Sequence, residues 1–141
     1  MPLTAECACG RLTVTVGSEP LAVAACHCDF CQKRTGSVFG VGAYFAADEE
    51  LEVHGEAKRY NGLELDGVGN ASGNSVSYFF CPTCGSTLYW ITEGERPIMG
   101  MAVGNFVDPE FPAPVMEFHD ELRHHWVPPV PGAVSVDPHG S

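Results

Sequence analysis

Positive charge is scarce in this sequence. Lys and Arg together number 7 against 18 Asp and Glu, which leaves a formal net charge of −11 with histidine neutral. A phosphate backbone or an anionic membrane surface needs a basic face to bind, so neither nucleic acid nor membrane is an expected partner. Charge of either sign is thin, at 18% of residues against about 25% in an average soluble protein. Long apolar runs are missing as well. None approaches the ~18–20 residues of a membrane span. The opening residues Met1 to Glu6 have neither the basic nor the apolar region of a signal peptide. These absences lead to the expectation of an acidic, cytoplasmic chain. Room for long helices is lacking too, because 16 Gly and 11 Pro divide the sequence into short pieces.

What is present suffices for one core. The chain has 141 residues, 45% of them hydrophobic, and one domain of that size is ordinary. The readable elements are extended. In Arg11 to Val16 apolar residues alternate with polar ones, the period of a half-buried strand. Val38 to Phe45, Leu51 to Val53, Ser75 to Phe80, Leu88 to Thr92, Ile98 to Val103 and Val115 to His119 are further candidates. Strands of this length, set apart by Gly, Pro and Asn, predict a mostly β fold of short antiparallel strands with little helix. A helical turn is expected at Asp29 to Arg34 and another near Asp48 to Leu51. Asn61 to Asn74, with four glycines, reads as a long exposed excursion. Val127 to Ser141, with four prolines and two glycines, reads as a loosely attached tail. The expected division is a domain over residues 1–127 and a tail over 128–141.

Seven cysteines are the strongest compositional signal. An odd number leaves one thiol unpaired in a disulfide scaffold, and the close spacing suits metal chelation better. Cys81-Pro82-Thr83-Cys84-Gly85 has the form of a zinc knuckle at the end of a strand. Two thiolates spaced by two residues can hold one ion, and Gly85 lets the chain leave the turn with positive φ. Cys7-Ala8-Cys9-Gly10 is a second two-ligand group ended by glycine. Cys26-His27-Cys28-Asp29-Phe30-Cys31 supplies three sulfurs. The count is thus four plus three. A site closed by four cysteines is normally structural, whereas three protein ligands leave a fourth position for substrate. Spacing alone leaves the pairing open: Cys28 and Cys31 with Cys81 and Cys84 would form an ordinary zinc ribbon. The triplet could also be closed by a histidine, whether His27, His54, His119, His124 or His125, although His27 between two ligands is expected to point away.

Several stretches together carry a family resemblance. They are Cys7 to Gly10, Cys26 to Lys33, Thr35-Gly36-Ser37, Phe80 to Leu88, Asn105 to Pro109, and Phe118 to Glu121 through Trp126. Spanning about residues 5–127, they resemble the glutathione-dependent formaldehyde-activating enzyme family, which also includes the centromere protein V domain. The resemblance implies a zinc-bearing fold similar to that of small zinc-binding Rab exchange factors. It implies two zinc ions per chain, a structural one on Cys7, Cys9, Cys81 and Cys84 and a second, with an open position, on Cys26, Cys28 and Cys31. It also implies a carbon–sulfur lyase that joins glutathione and formaldehyde reversibly into S-hydroxymethylglutathione.

The residues allow the chemistry to be argued. A free thiol is largely protonated at neutral pH, and an open zinc position can bind and deprotonate it. Three thiolates outweigh the charge of the ion, which favours thiol capture over water activation. Glutathione is an anion, so a local basic contact is expected, first from Lys33 and Arg34, with Lys58, Arg59 and Arg123 further away. Two other readings compete. One is a zinc-stabilised binding module without catalysis. The other is a methionine sulfoxide reductase, which needs a redox cysteine outside the metal sites, and every cysteine here is assigned to one.

Overall fold

From Thr13 to Val16 the alternation seen in the sequence is reproduced by burial: Val14 and Val16 are inaccessible, while Thr13 and Thr15 stay half-exposed. The same period sorts side chains throughout this computed structural model, which describes residues 2–61, 76–94 and 97–136. The described strands are β1 (Leu3–Glu6), β2 (Thr13–Val16), β3 (Ala22–Cys26), β4 (Gly40–Ala46), β5 (Leu51–His54), β6 (Lys58–Asn61), β7 (Val76–Phe80), β8 (Thr87–Thr92), β9 (Ile98–Ala102), β10 (Met116–Phe118) and β11 (Val134–Val136). The helix α1 (Asp29–Thr35) follows β3. The fold is mostly β, as expected from the sequence. No helix among the described residues is long and apolar enough to cross a membrane.

Two sheets form. One is small, in the order β1-β2-β5; the other runs β11-β10-β3-β4-β9-β8-β7-β6. Pairings are antiparallel except at one edge, where β10 lies parallel to both β3 and β11. Odd-numbered residues of the large sheet make one row, with Phe45 opposite Met99 and Met99 opposite Ile91. With Ala43, Met101 and Tyr89 they pack against Ala5, Val14 and Val16 of the small sheet. Each fully buried side chain of this size contributes about 1.5–3 kcal/mol, so this face is the main core. A register shift at Phe79/Phe80 lets the adjacent residues Leu88 and Tyr89 both reach it.

Even-numbered residues make the opposite face. Tyr44 stands across from Gly100, Gly100 from Trp90, Trp90 from Tyr78 and Tyr78 from Tyr60. The glycine is what lets this aromatic row close up. A Cβ on Gly100 would run into the Trp90 indole, and one on Gly42 would come within 2.9 Å of the same ring.

The expected helical turn near Asp48 to Leu51 does not form. The Glu49 N–H bonds the Ala46 carbonyl in a turn, and Leu51 already opens β5 opposite Val16; pairing with β2 overrides local preference. β1, β3, β6 and β11 have no distinct strand pattern in the sequence. β3 is alanine-rich, and β6 is mostly polar. β11 falls inside the stretch read as a loose tail, yet its three residues pair with β10. The excursion expected over residues 61–74 lies, beyond Asn61, outside the described residues.

Candidate metal centres

Two turns of similar build bring four cysteines together. In the turn between β1 and β2, the Gly10 N–H bonds the Cys7 carbonyl and the Cys7 N–H bonds the Leu12 carbonyl. Between β7 and β8, the Gly85 N–H bonds the Cys81 carbonyl and the Cys81 N–H bonds the Ser86 carbonyl. Gly10 and Gly85 both sit at φ 80, a conformation that glycine adopts without strain. Ala8 N–H donates to Ser86 Oγ at 3.0 Å, tying one turn to the other. The sulfurs of Cys7 and Cys9 are 3.6 Å apart and those of Cys9 and Cys81 3.7 Å. A tetrahedron of thiolates at the usual Zn–S length of about 2.3 Å has edges of ~3.8 Å, so the group fits a tetrahedral ion of that size. The Leu12 N–H donates to the Cys7 sulfur at 3.2 Å, the type of backbone contact that supports bound thiolates.

Cys26, Cys28 and Cys31 form the second group, their sulfurs within 4.8 Å of one another. Cys26 ends β3, Cys28 caps α1, and Cys31 lies in the first turn of that helix, donating its N–H to the Cys28 sulfur at 3.3 Å. The four-plus-three partition is therefore the one that the geometry brings together, and the ribbon pairing is not. Among the described residues no histidine joins either group. His27 points away, as expected. His54 pairs with Glu52 at 2.9 Å, and His124 Nε2 lies 3.2 Å from Gln32 Oε1.

Crowded thiols cannot all ionise alone. In the triplet, hydrogen bonds from Cys26 and Cys31 hold the Cys28 thiol far below its ordinary value against the opposing effect of burial. The contact with Cys28 pushes Cys26 up to about 11, and the contacts with Cys26 and Cys28 push Cys31 higher still. In the group of four, the Ser86 hydroxyl and amide bring Cys84 down to about 5. At Cys9 the Arg11 amide pulls down, but desolvation and the neighbouring sulfurs drive it up to about 11. A divalent cation removes this repulsion, because all of its thiolate ligands can then stay ionised together.

The triplet lies against the aromatic face of the sheet. Cys26, Cys28 and Cys31 share a cluster with Phe30, Tyr44, Tyr60, Tyr78 and Trp90. Burial raises the Tyr44 and Tyr78 phenols above their ordinary value, so they remain protonated. Of the expected basic contacts, Arg34 stacks over Trp90 at 4.7 Å, whereas Lys33 is exposed on α1. Arg34 also borders a groove of about 490 Å³ lined in addition by Thr35, Gly40, Cys84, Ser86 and Asn105. Of the more distant candidates, Arg59 donates to Ser77, Arg123 bonds Glu117, and Lys58 is exposed on β6. The aromatic row beside the triplet and the buried Glu117 have no counterpart in the sequence-based expectations. Glu117 left one signal, a carboxylate at the centre of the otherwise apolar strand Met116–Phe118.

Comparison with known proteins agrees with this geometry. No curated protein matches the chain. Among solved structures, a crystal structure of a Rhodobacter sphaeroides protein from a structural-genomics programme superposes with a TM-score of 0.55 at 17% identity, covering 95% of this chain and 100% of that one. At such identity the likeness speaks for the fold. Residues 2–121 match the sequence profile described as glutathione-dependent formaldehyde-activating enzyme, and the chain therefore belongs to that family.

Proposed function

We propose that this chain is a zinc-dependent carbon–sulfur lyase acting on glutathione and formaldehyde, or on a closely related thiol adduct. One observation carries the reading: one cysteine group offers four sulfurs and the other three. The first set closes a tetrahedral site, and the second leaves a position for a substrate thiol. Zinc bound there would supply the Lewis acidity that keeps a thiol ionised near neutral pH.

The remaining roles fall to the chain itself. Cys26, Cys28 and Cys31 hold the ion and set its charge. Lys33 and Arg34 receive the anionic body of the thiol. Arg34 is the better placed of the two, since stacking on Trp90 fixes the plane of the guanidinium while its N–H edge can still meet a carboxylate. The groove beside it has room for a small molecule, and its lining includes Cys84 but none of Cys26, Cys28 and Cys31. In the forward direction the sulfur adds to the aldehyde carbon, an S–C bond replaces the C=O π bond, and the thiol proton ends on the new hydroxyl. Holding both reactants at one position supplies proximity. The soluble, cytoplasmic setting expected from the sequence suits such a substrate.

Native mass spectrometry of the purified protein, with and without glutathione, tests the proposal. Two zinc ions per chain and a glutathione adduct are expected, followed by catalysed S-hydroxymethylglutathione formation above the spontaneous rate. Two zinc ions with no adduct and no rate enhancement would favour the binding-module reading.

A further inference from the structure

We infer that Glu117 is a positioning residue for the three-cysteine metal site and acts through His27. The inference rests on the assignment of a metal ion to Cys26, Cys28 and Cys31. In extended chain a C-x-C pair turns both thiols to one side and the middle side chain to the other. Whatever anchors the middle residue therefore aims the two thiols. His27 is that residue, and it is 1% exposed.

Its ring packs against Phe39 at 5.4 Å between centroids, and three hydrogen bonds hold it. Its N–H donates to the Phe118 carbonyl at 3.0 Å, and its own carbonyl accepts from Gln32 Nε2 at 3.0 Å. Its ring Nε2 meets Glu117 Oε1 at 2.9 Å. Nδ1 has no partner among the described residues, so the Glu117 bond is the hydrogen bond that orients the imidazole. Glu117 is in turn fixed from two further directions, since Oε2 accepts from Arg123 Nη2 at 3.0 Å and from the Val130 N–H at 3.3 Å. The carboxylate sits on β10, whose parallel pairing sets Glu117 beside Ala25 and Phe118 beside Cys26. The path from Glu117 through His27 thus ends on two of the three ligands. Nothing comparable links Glu117 to Cys7, Cys9, Cys81 or Cys84 among the described residues.

Hydrogen-bond partners behind a metal's ligands typically alter metal affinity by 10–100-fold when lost. The expected signature is selective: the second metal weakens and the first does not. Zinc affinity of each site is measured on full-length protein by competition with a chromogenic chelator, with cobalt as a second probe whose thiolate absorption reports ligand geometry. For Glu117→Gln and His27→Ala, a 10–100-fold weaker second site is expected with the first site unchanged, together with an altered cobalt spectrum at the second. His27→Gln, which restores an N–H donor toward Glu117, is expected to recover part of the affinity. Wild-type binding of two metals with an unchanged second site in both variants would overturn the positioning role. So would equal weakening of both sites with a fall in melting temperature, since that pattern reports general loss of structure. Wild-type protein that binds only one metal would instead remove the three-cysteine assignment itself, and the inference with it.

Discussion

Cys7 and Cys81 of the four-cysteine group are members of the core between the sheets, in one buried cluster with Leu12, Val14, Phe45 and Leu88. Cys26 and Cys31 of the other group are half-buried beside Tyr44, Tyr60 and Trp90 on the far side of the large sheet. The ligands are chemically identical, yet one group joins turns that belong to different sheets and the other joins a strand end to the short helix that follows it. A metal ion in the first spans residues 7 and 84 and so closes a long stretch of chain. One in the second spans only residues 26–31. The number of ligands and their sequence separation point the same way under the proposed function: the distant, complete set would hold the fold, and the local, incomplete set would be the reacting one.

The most severe way to break this contrast is Cys81→Ser. A serine there removes one of the two buried thiolates of a group whose other two, Cys9 and Cys84, are exposed, and leaves a hydroxyl among apolar neighbours. Metal sites of this type carry ~10–16 kcal/mol of apparent binding energy that is also folding energy, which exceeds or matches the whole stability of most domains, about 5–15 kcal/mol. The expected outcome is insoluble protein, or a melting temperature lowered by well over ten degrees, as measured by circular dichroism. A variant that melts normally would place the structural burden elsewhere.

The three cysteine groups were legible in the sequence because their spacing is local, but spacing left their pairing open, and the four-plus-three partition came from the family resemblance. The turns at Gly10 and Gly85, the alternation of Thr13–Val16 and the apolar strands of the core were also readable. What escaped the reading was set by pairing at a distance. Ala22–Cys26 shows no strand pattern alone and becomes one only between β4 and β10. Val134–Val136 sits amid prolines and is ordered by β10. The aromatic row arises from the register of β4, β6, β7, β8 and β9, which no single segment encodes. Arg123 looked like a free basic contact until the buried Glu117 claimed it.

Cys28→Ser sharpens the contrast from the other side. Cys28 is the N-cap of α1, its sulfur accepting from the Cys31 N–H, and serine is among the best N-cap residues. The substitution therefore preserves the helix start while removing a metal ligand. One zinc ion per chain, a melting temperature within a few degrees of wild type and loss of turnover are the expected results, read by native mass spectrometry, thermal melting and adduct formation. Retention of full activity with one zinc would show that the triplet is not the reacting site.

The subtlest test leaves every cysteine in place. Gly100 faces Trp90 across the strand pair, and a methyl group there would meet the indole. The Trp90 ring is also what Arg34 stacks on and what borders the triplet. Alanine at this position gains a little from a stiffer unfolded chain, about 0.4–1 kcal/mol. It loses more by overpacking, typically about 1–3 kcal/mol. A net fall of a few degrees in melting temperature is expected, with a shifted tryptophan emission as the ring is displaced. Because the row lies on the triplet's side of the sheet, affinity for the second zinc and for glutathione should fall while the four-cysteine group, whose buried members face the other way, keeps its ion. Equal weakening of both sites would mean that the two faces of the sheet are mechanically coupled, and that the separation of a holding site from a reacting site is less complete than their burial suggests.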